Sequence, residues 1–351
     1  ITQRAIDGSH NAAADLSVLT QRHHLIKQNS MRPLKKANIL LADCKTFGTL
    51  AFSHLARDAF VAVTLLKSGI DSGILTSEAY DNFMENIRSV THDLTDDAAK
   101  VKNGNLSWDS FVGEYGHLRP DTYNITSDRY SSNTDFFLKP IVDRSQSHHS
   151  YPNKDLWDLN KADFYDALIS DGLADSHGKI EEFLVHSIEG RERAKFLFTR
   201  NVSDALECIA EFGDDIGLSR KEVSNLPLSF FYASELRNRS STIVGQAEAL
   251  IAQEKTELEI SSNIEMPPLI LTEQDFDCFL LPKNVGNFVG EKSLIVESVY
   301  LNTSNYELDL SGKIILIENA DPGYDWLFGR NITGLVTKFG GANSHMAIRA
   351  A

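Results

Sequence analysis

The sequence predicts a mainly α protein: a helical domain over residues 1–265, a linker over 266–283 and a partial α/β domain over 284–351. Two observations carry that prediction. Apolar residues recur at helical spacing as far as about Glu265, with hardly any strand-type alternation. At Met266-Pro267-Pro268 the double proline breaks helix, and beyond it the apolar runs at 294–299, 313–317 and 334–337 are of strand type.

Taken in order, residues 47–67 have a broad apolar face with few breakers and predict a mostly buried helix that stops at Ser68-Gly69. Thr76 or Ser77 caps a further helix, with Tyr80, Phe83, Ile87, Val90 and Leu94 on one stripe and a stop at Asn103-Gly104. Ser107 starts a short helix through Trp108 and Phe111 to Tyr115. After Gly116 comes a polar segment holding His117, Arg119, Tyr123, Arg129 and Tyr130, with Pro120-Asp121 as a turn signal. Such a loop suits an anion or a substrate, or simply a structural turn whose Arg and Tyr side chains cap helix ends. Residues 131–160, rich in Ser, His, Asn and Pro, are expected to form an extended surface loop. His148 and His149 are adjacent there and point to different sides, which makes a poor metal pair.

A long helix is expected over 179–212. Glu189 with Arg193 and Glu192 with Lys195 have the spacing of helical ion pairs, so a solvated, salt-bridged face is its default reading. Arg191, Lys195, Thr199 and Arg200 also fall close together and could instead wall a pocket that faces a phosphate. Ser219-Arg220-Lys221-Glu222 is a capping box, followed by helices over 228–239 and 242–255. In the last domain Asp321-Pro322-Gly323 is a turn and 324–328 a short helix.

Composition narrows the function classes. The chain carries 49 acidic against 34 basic residues, a formal charge of −15. That balance opposes nonspecific binding to nucleic acid or to an anionic membrane surface. There is no uninterrupted apolar run long enough to span a bilayer and no signal-peptide pattern, so a cytoplasmic protein is expected. Cys44, Cys208 and Cys278 lie far apart, which indicates neither a zinc site nor a disulfide framework. No GxxxxGK phosphate loop is present. The chain opens on Ile1, and it stops within the helix that His345 begins, so a longer protein is expected.

The stretch 337–351 holds the strongest chemical signal. The strand-type run Gly334-Leu335-Val336-Thr337 leads to Gly340-Gly341, whose conformational freedom suits a tight turn. Asn343 and Ser344 are good N-cap residues for a helix that has His345 in its first turn. A neutral imidazole is a competent phosphoryl acceptor, and a helix N-terminus favours the anion that results.

Gly-Gly-x-x-Ser-His-x-Ala-Ile-x-Ala over 340–350 resembles the signature of the swivelling phosphohistidine domain of the phosphoenolpyruvate-utilising (dikinase) family, and Ala320-Asp321-Pro322 resembles the family's approach to its histidine. Asn343 stands where Thr or Ser is more usual, and Ala351 where the family has Arg. Tyr-Gly-His-Leu-Arg-Pro-x-Thr-Tyr-x-Ile over 115–125 resembles a segment of the branch containing the L-glutamine kinases, with Asp121 where Gly is expected, and the rifampin phosphotransferases carry a related segment.

The resemblance implies a transferase and kinase that passes the β-phosphoryl of ATP through a phosphohistidine on His345 to a small-molecule acceptor, best matched by the side-chain amide of L-glutamine. Ser344, Thr337 and the Gly341 backbone would support the phosphoryl group. His117, Arg119, Arg129, Arg191 and Lys195 are the acceptor-binding candidates in the helical domain. ATP and Mg²⁺ would be bound mainly by an ATP-grasp domain of the same full-length chain, with no metal held by the residues here. Two alternatives stand beside this: a phosphoenolpyruvate synthase-type dikinase, which predicts a barrel after His345, and a non-catalytic helical binding module with a degenerate histidine domain.

Overall fold

The apolar periodicity of the first two thirds of the chain becomes a set of packed helices in the computed structural model, which describes residues 2–145, 155–235, 241–261, 270–276, 293–301, 308–340 and 345–350. In order these are α1 (Thr2–Gln28), α2 (Pro33–Asp43), α3 (Leu50–Asp71), α4 (Ser77–Glu85), α5 (Val90–Lys102), α6 (Trp108–Tyr115), α7 (Thr134–Phe137), α8 (Lys139–Arg144) and α9 (Asp155–Ser170). They are followed by the 39-residue α10 (His177–Asp215), α11 (Arg220–Val223), α12 (Leu228–Glu235) and α13 (Ser241–Ser261). Among the described residues the protein is mainly helical, with one small parallel sheet.

By contacts the chain forms two compact units. The first comprises residues 1–32, 36–123 and 129–206, and the second 33–35, 124–128 and 207–351. Two apolar centres can be followed among the described residues of the first unit. One gathers Leu66 of α3, Phe83 of α4, Trp157, Phe164 and Tyr165 of α9 and Leu184 of α10. The other gathers Leu16 and Leu19 of α1, Ala51 and Leu55 of α3 and Phe198 of α10. These positions recur at three- and four-residue steps, as one face of a helix must to meet a core.

Several local expectations are corrected. The helix over 47–67 does not stop at Ser68-Gly69; α3 continues to Asp71, and the glycine with positive φ after its end is Gly73 at 72°. Gly69 is buried, and a Cβ there would meet Leu75 and Phe164 at 2.8–2.9 Å, so this glycine serves close packing rather than termination. The stripe from Tyr80 to Leu94 is two helices, α4 and α5, because Ser89 opens a new one with a capping box in which His92 occupies the position usually taken by Glu or Gln. Residues 131–145 are helical over α7 and α8 instead of an extended loop; Asn133 caps α7 and Pro140 sits in the first turn of α8. The caps at Thr76, Ser107 and Ser219 form as expected. His148, His149 and Cys278, and most of the expected linker over 266–283, lie outside the described residues.

The stretch Pro33–Asp71 is helical throughout, passing through a π-helical turn at Cys44–Thr49. By length and composition alone an 18-residue stretch of it, with mean hydropathy 1.3, could cross a membrane, although charged residues such as Arg57 and Asp58 interrupt the apolar run. Ala51, Leu55, Ala59, Ala62 and Leu66 of this stretch are buried in the helical core, and a core helix meets the same criterion.

In the second unit β1 (Ser298–Tyr300), β2 (Ile314–Asn319) and β3 (Gly334–Phe339) form a parallel sheet in that order. The register pairs Val299 with Ile315, and Ile317 with Thr337. Ile315 and Ile317 alternate onto a buried face. The connection from β2 to β3 is a 3₁₀ segment, Pro322–Arg330, which buries Tyr324, Trp326 and Leu327; Asp321 caps it by accepting from the Gly323 N–H at 2.8 Å. Helix α14 (His345–Ala350) follows β3.

Candidate functional site

In the first unit four separate segments converge on a cavity of about 170 Å³ lined by His23, His24, Lys27, Gly113, His117, Arg129, Arg200 and Asp204. Its frame begins at α6. Tyr115 donates its hydroxyl to Asp97 at 2.8 Å and lays its ring near Phe196, with centroids 5.8 Å apart, which ties the end of α6 to α5 and α10. The chain then turns, and Tyr130 N–H to Leu118 C=O (2.8 Å) and Ser131 N–H to Gly116 C=O (3.0 Å) zip the two ends of the polar segment together. That closure brings His117 and Arg129 side by side. Arg119 is 1% exposed and donates from Nε to Ser203 Oγ at 3.3 Å, while Ser203 donates to the His117 carbonyl at 2.7 Å. Arg119 therefore secures the loop from behind and is not among the residues that line the cavity.

Opposite the loop, α10 presents Phe196, Arg200 and Asp204 at four-residue steps, which places all three on one face. Arg200 donates to Glu114 Oε1 at 2.8 Å and sits 5.3 Å from the Phe196 ring centroid. Asp204 accepts from His23 Nε2 at 2.7 Å and pairs with Arg129 at 2.8 Å. Burial pushes the Asp204 carboxyl up, but the hydrogen bond from His23 and the Arg129 guanidinium outweigh it and hold the group well below the usual carboxylate range.

His117 is only 4% exposed and rests edge-on against Phe196 at 4.7 Å. Its Nδ1 lies 3.0 Å from the Glu114 carbonyl, which can only accept, so Nδ1 carries the proton. Burial, then the charges of Arg200 and Arg129, lower its pKa to about 3 against the opposing pull of the Glu114 carbonyl and Asp204. The ring is therefore neutral at physiological pH, and Nε2 offers a lone pair.

Of the sequence candidates, His117 and Arg129 meet in this cavity, and Arg119 stands behind it. Arg191 and Lys195 lie elsewhere on α10. With about 100° of turn per residue, the 191–195–199 row is rotated away from the 196–200–204 row. Arg191 sits 5.8 Å from the Phe60 ring centroid, and Thr199 donates to the Lys195 carbonyl of its own helix at 2.8 Å. Glu189 accepts from the Arg88 backbone at 2.9 Å, and Arg193 lies 3.9 Å from Asp93. His23, His24, Lys27 and Asp204 were missed. The i,i+4 spacings of Arg200 with Asp204 and of His23 with Lys27 were signals in the sequence that could have pointed to Asp204, His23 and Lys27.

At the other chemical signal, β3 ends at Phe339 and Gly340 takes φ 147°, a conformation that strains residues bearing a Cβ. A Cβ there would meet Ala320 Cβ at 2.6 Å and Thr337 Oγ1 at 3.2 Å, so the Thr337 hydroxyl borders Gly340. His345 is the first residue of α14, and Met346 beside it is buried. Gly341 and Ser344 lie outside the described residues. Among the described residues no group of three His, Cys, Asp or Glu side chains is placed to hold a metal ion. Neither the models of known protein families nor the curated proteins give a match to this chain.

Proposed function

We propose that the chain is part of an ATP-dependent phosphotransferase in which His345 carries the phosphoryl group and the helical part of the chain holds a small-molecule acceptor. One observation carries the reading: a parallel strand, β3, ends next to Gly340, which has positive φ and is bordered by the Thr337 hydroxyl, and α14 opens at His345. This arrangement suits a phosphohistidine, and residues 340–350 are those that resemble the dikinase signature. In this reading Ser344 and the Gly341 backbone support the phosphoryl group. ATP and Mg²⁺ belong to an ATP-grasp domain of the same full-length chain.

A ring nitrogen of His345 attacks the β-phosphorus of ATP and the bond to the α-phosphate oxygen breaks, releasing AMP. Water cleaves the β–γ bridge and phosphate leaves. The acceptor nucleophile then takes the phosphoryl group, gives up its proton and frees the imidazole. Dividing the transfer lets positioning and cationic groups serve each step separately. L-glutamine, through its side-chain amide, is the first acceptor to test.

The experiment is labelling of the full-length protein and its His345→Ala variant with ATP carrying label at either the β or the γ phosphate. Acid-labile β-label on the wild type alone is expected. An absence of label on both proteins would favour a binding module, and γ-label would place the protein in another phosphotransfer class.

A further inference from the structure

We propose that the cavity of the first unit is a binding site for a small oxyanion that carries its own hydrogen-bond donor, with the oxyanion on the Nε–H groups of Arg129 and Arg200 and the donor on Nε2 of His117. These three atoms are fully buried and make no hydrogen bond within the protein. All three residues line the same cavity. A polar atom buried without a hydrogen-bond partner is costly, so three in one small space point to a ligand.

Their chemistry defines that ligand. A guanidinium Nε–H can only donate, so two such donors at one cavity call for an acceptor, and the three cationic side chains of Lys27, Arg129 and Arg200 outnumber the carboxylates of Asp204 and Glu114 that pair with Arg129 and Arg200, which favours an anion. Nε2 of His117 holds a lone pair because Nδ1 is already committed to the Glu114 carbonyl. An oxyanion oxygen alone would meet that lone pair with repulsion. Hydrogen phosphate satisfies both demands, its P–OH reaching His117 and its charged oxygens the two arginines. The carboxylate of an amino acid, beside an ammonium or amide N–H, satisfies them as well. Sulfate, which has no proton at neutral pH, does not. The cavity is smaller than the roughly 300–1,000 Å³ of sites for drug-sized ligands, which suits a group of this size.

The site does not depend on His345, so binding is expected to be equal in the wild type and in His345→Ala. The test is calorimetric titration of the full chain with inorganic phosphate, sulfate and L-glutamine. Phosphate or glutamine is expected to bind, and whichever binds identifies the source of the oxyanion. Phosphate should bind at least about tenfold more tightly than sulfate, the discrimination expected when a buried acceptor is satisfied by one ligand and left unpaired by the other. His117→Phe should remove that discrimination. Gly113→Leu provides a fold-preserving block, since a Cβ at Gly113 meets nothing within 4 Å, and it should weaken binding by at least about tenfold. The proposal is overturned if neither phosphate nor glutamine binds, if binding survives Gly113→Leu, or if phosphate binds and sulfate binds as tightly.

Discussion

His117 shows how one residue joins the fold to its chemistry. Its ring is kept neutral by burial first and by Arg200 and Arg129 second, and its pKa falls from the ordinary 6.5 to about 3. For a base with a depressed folded pKa, the native state gains stability that is fully present above pH 6.5 and is lost as the pH falls from 6.5 toward 3. The slope is about 1.4 kcal/mol per pH unit for one proton. Urea denaturation of the wild type and of His117→Phe between pH 7 and pH 4.5 should therefore differ in slope, with the variant shallower (a range on the order of the histidine titration window). Parallel curves would show that His117 titrates like an exposed histidine. Asp204 acts in the same direction at lower pH: its carboxyl is depressed below its ordinary 3.8, so its contribution is intact above that value and lost beneath it. The polar character of the 116–130 loop was legible in the sequence, but the tautomer of His117 was not. It follows from a carbonyl at the end of α6, and no local pattern encodes that.

At the scale of elements, glycine was the residue most readily misread. Gly48 lies in the π-helical turn at Cys44–Thr49, where a Cβ would meet Phe198 Cβ at 2.6 Å and Leu19 at 3.2 Å. Phe198 Cβ is bonded to the α10 backbone and cannot swing aside, so Gly48→Ala is expected to cost about 1–3 kcal/mol by overpacking. Gly113→Ala, in α6 with open space around it, should be neutral or stabilise by up to about 1 kcal/mol. Chemical denaturation of the two variants checks both, and equal effects would contradict the packing argument. The same distinction explains why the expected stop at Ser68-Gly69 did not occur. A glycine that ends a helix and one that lets a neighbouring ring approach look alike in sequence, and only the position of Phe164 separates them at Gly69. The break between α4 and α5 was hidden for the opposite reason: the apolar stripe runs on across it, and His92 makes an uncommon partner in the cap.

Over the whole molecule, the change from helical to strand periodicity was legible because it is a change of repeat length, which survives in any sequence context. The cavity was not. Its walls come from α1, α6, the loop and α10, and the His23–Asp204 contact joins residues 181 apart in the chain. Local stability should follow the same division. The helices of the first unit bury long apolar faces, as in the cluster of Leu66, Phe83, Trp157, Phe164 and Leu184. Among the described residues the sheet of the second unit has three short strands, of which β2 alone has a neighbour on each side. Ile315 and Ile317 of β2 are buried, whereas Val336 and Phe339 of β3 are 51% and 55% exposed. A short strand with one neighbour and exposed side chains opens at small cost, while a helix in a packed core opens only with that core. Native-state hydrogen exchange should therefore rank the backbone amides of α3 and α10 in the first unit above those of β2, and β2 above β1 and β3. Equal protection of β2 and α3 would mean that sheet and helical core open as one cooperative unit, and the independent opening argued here for the strand that leads to His345 would be lost.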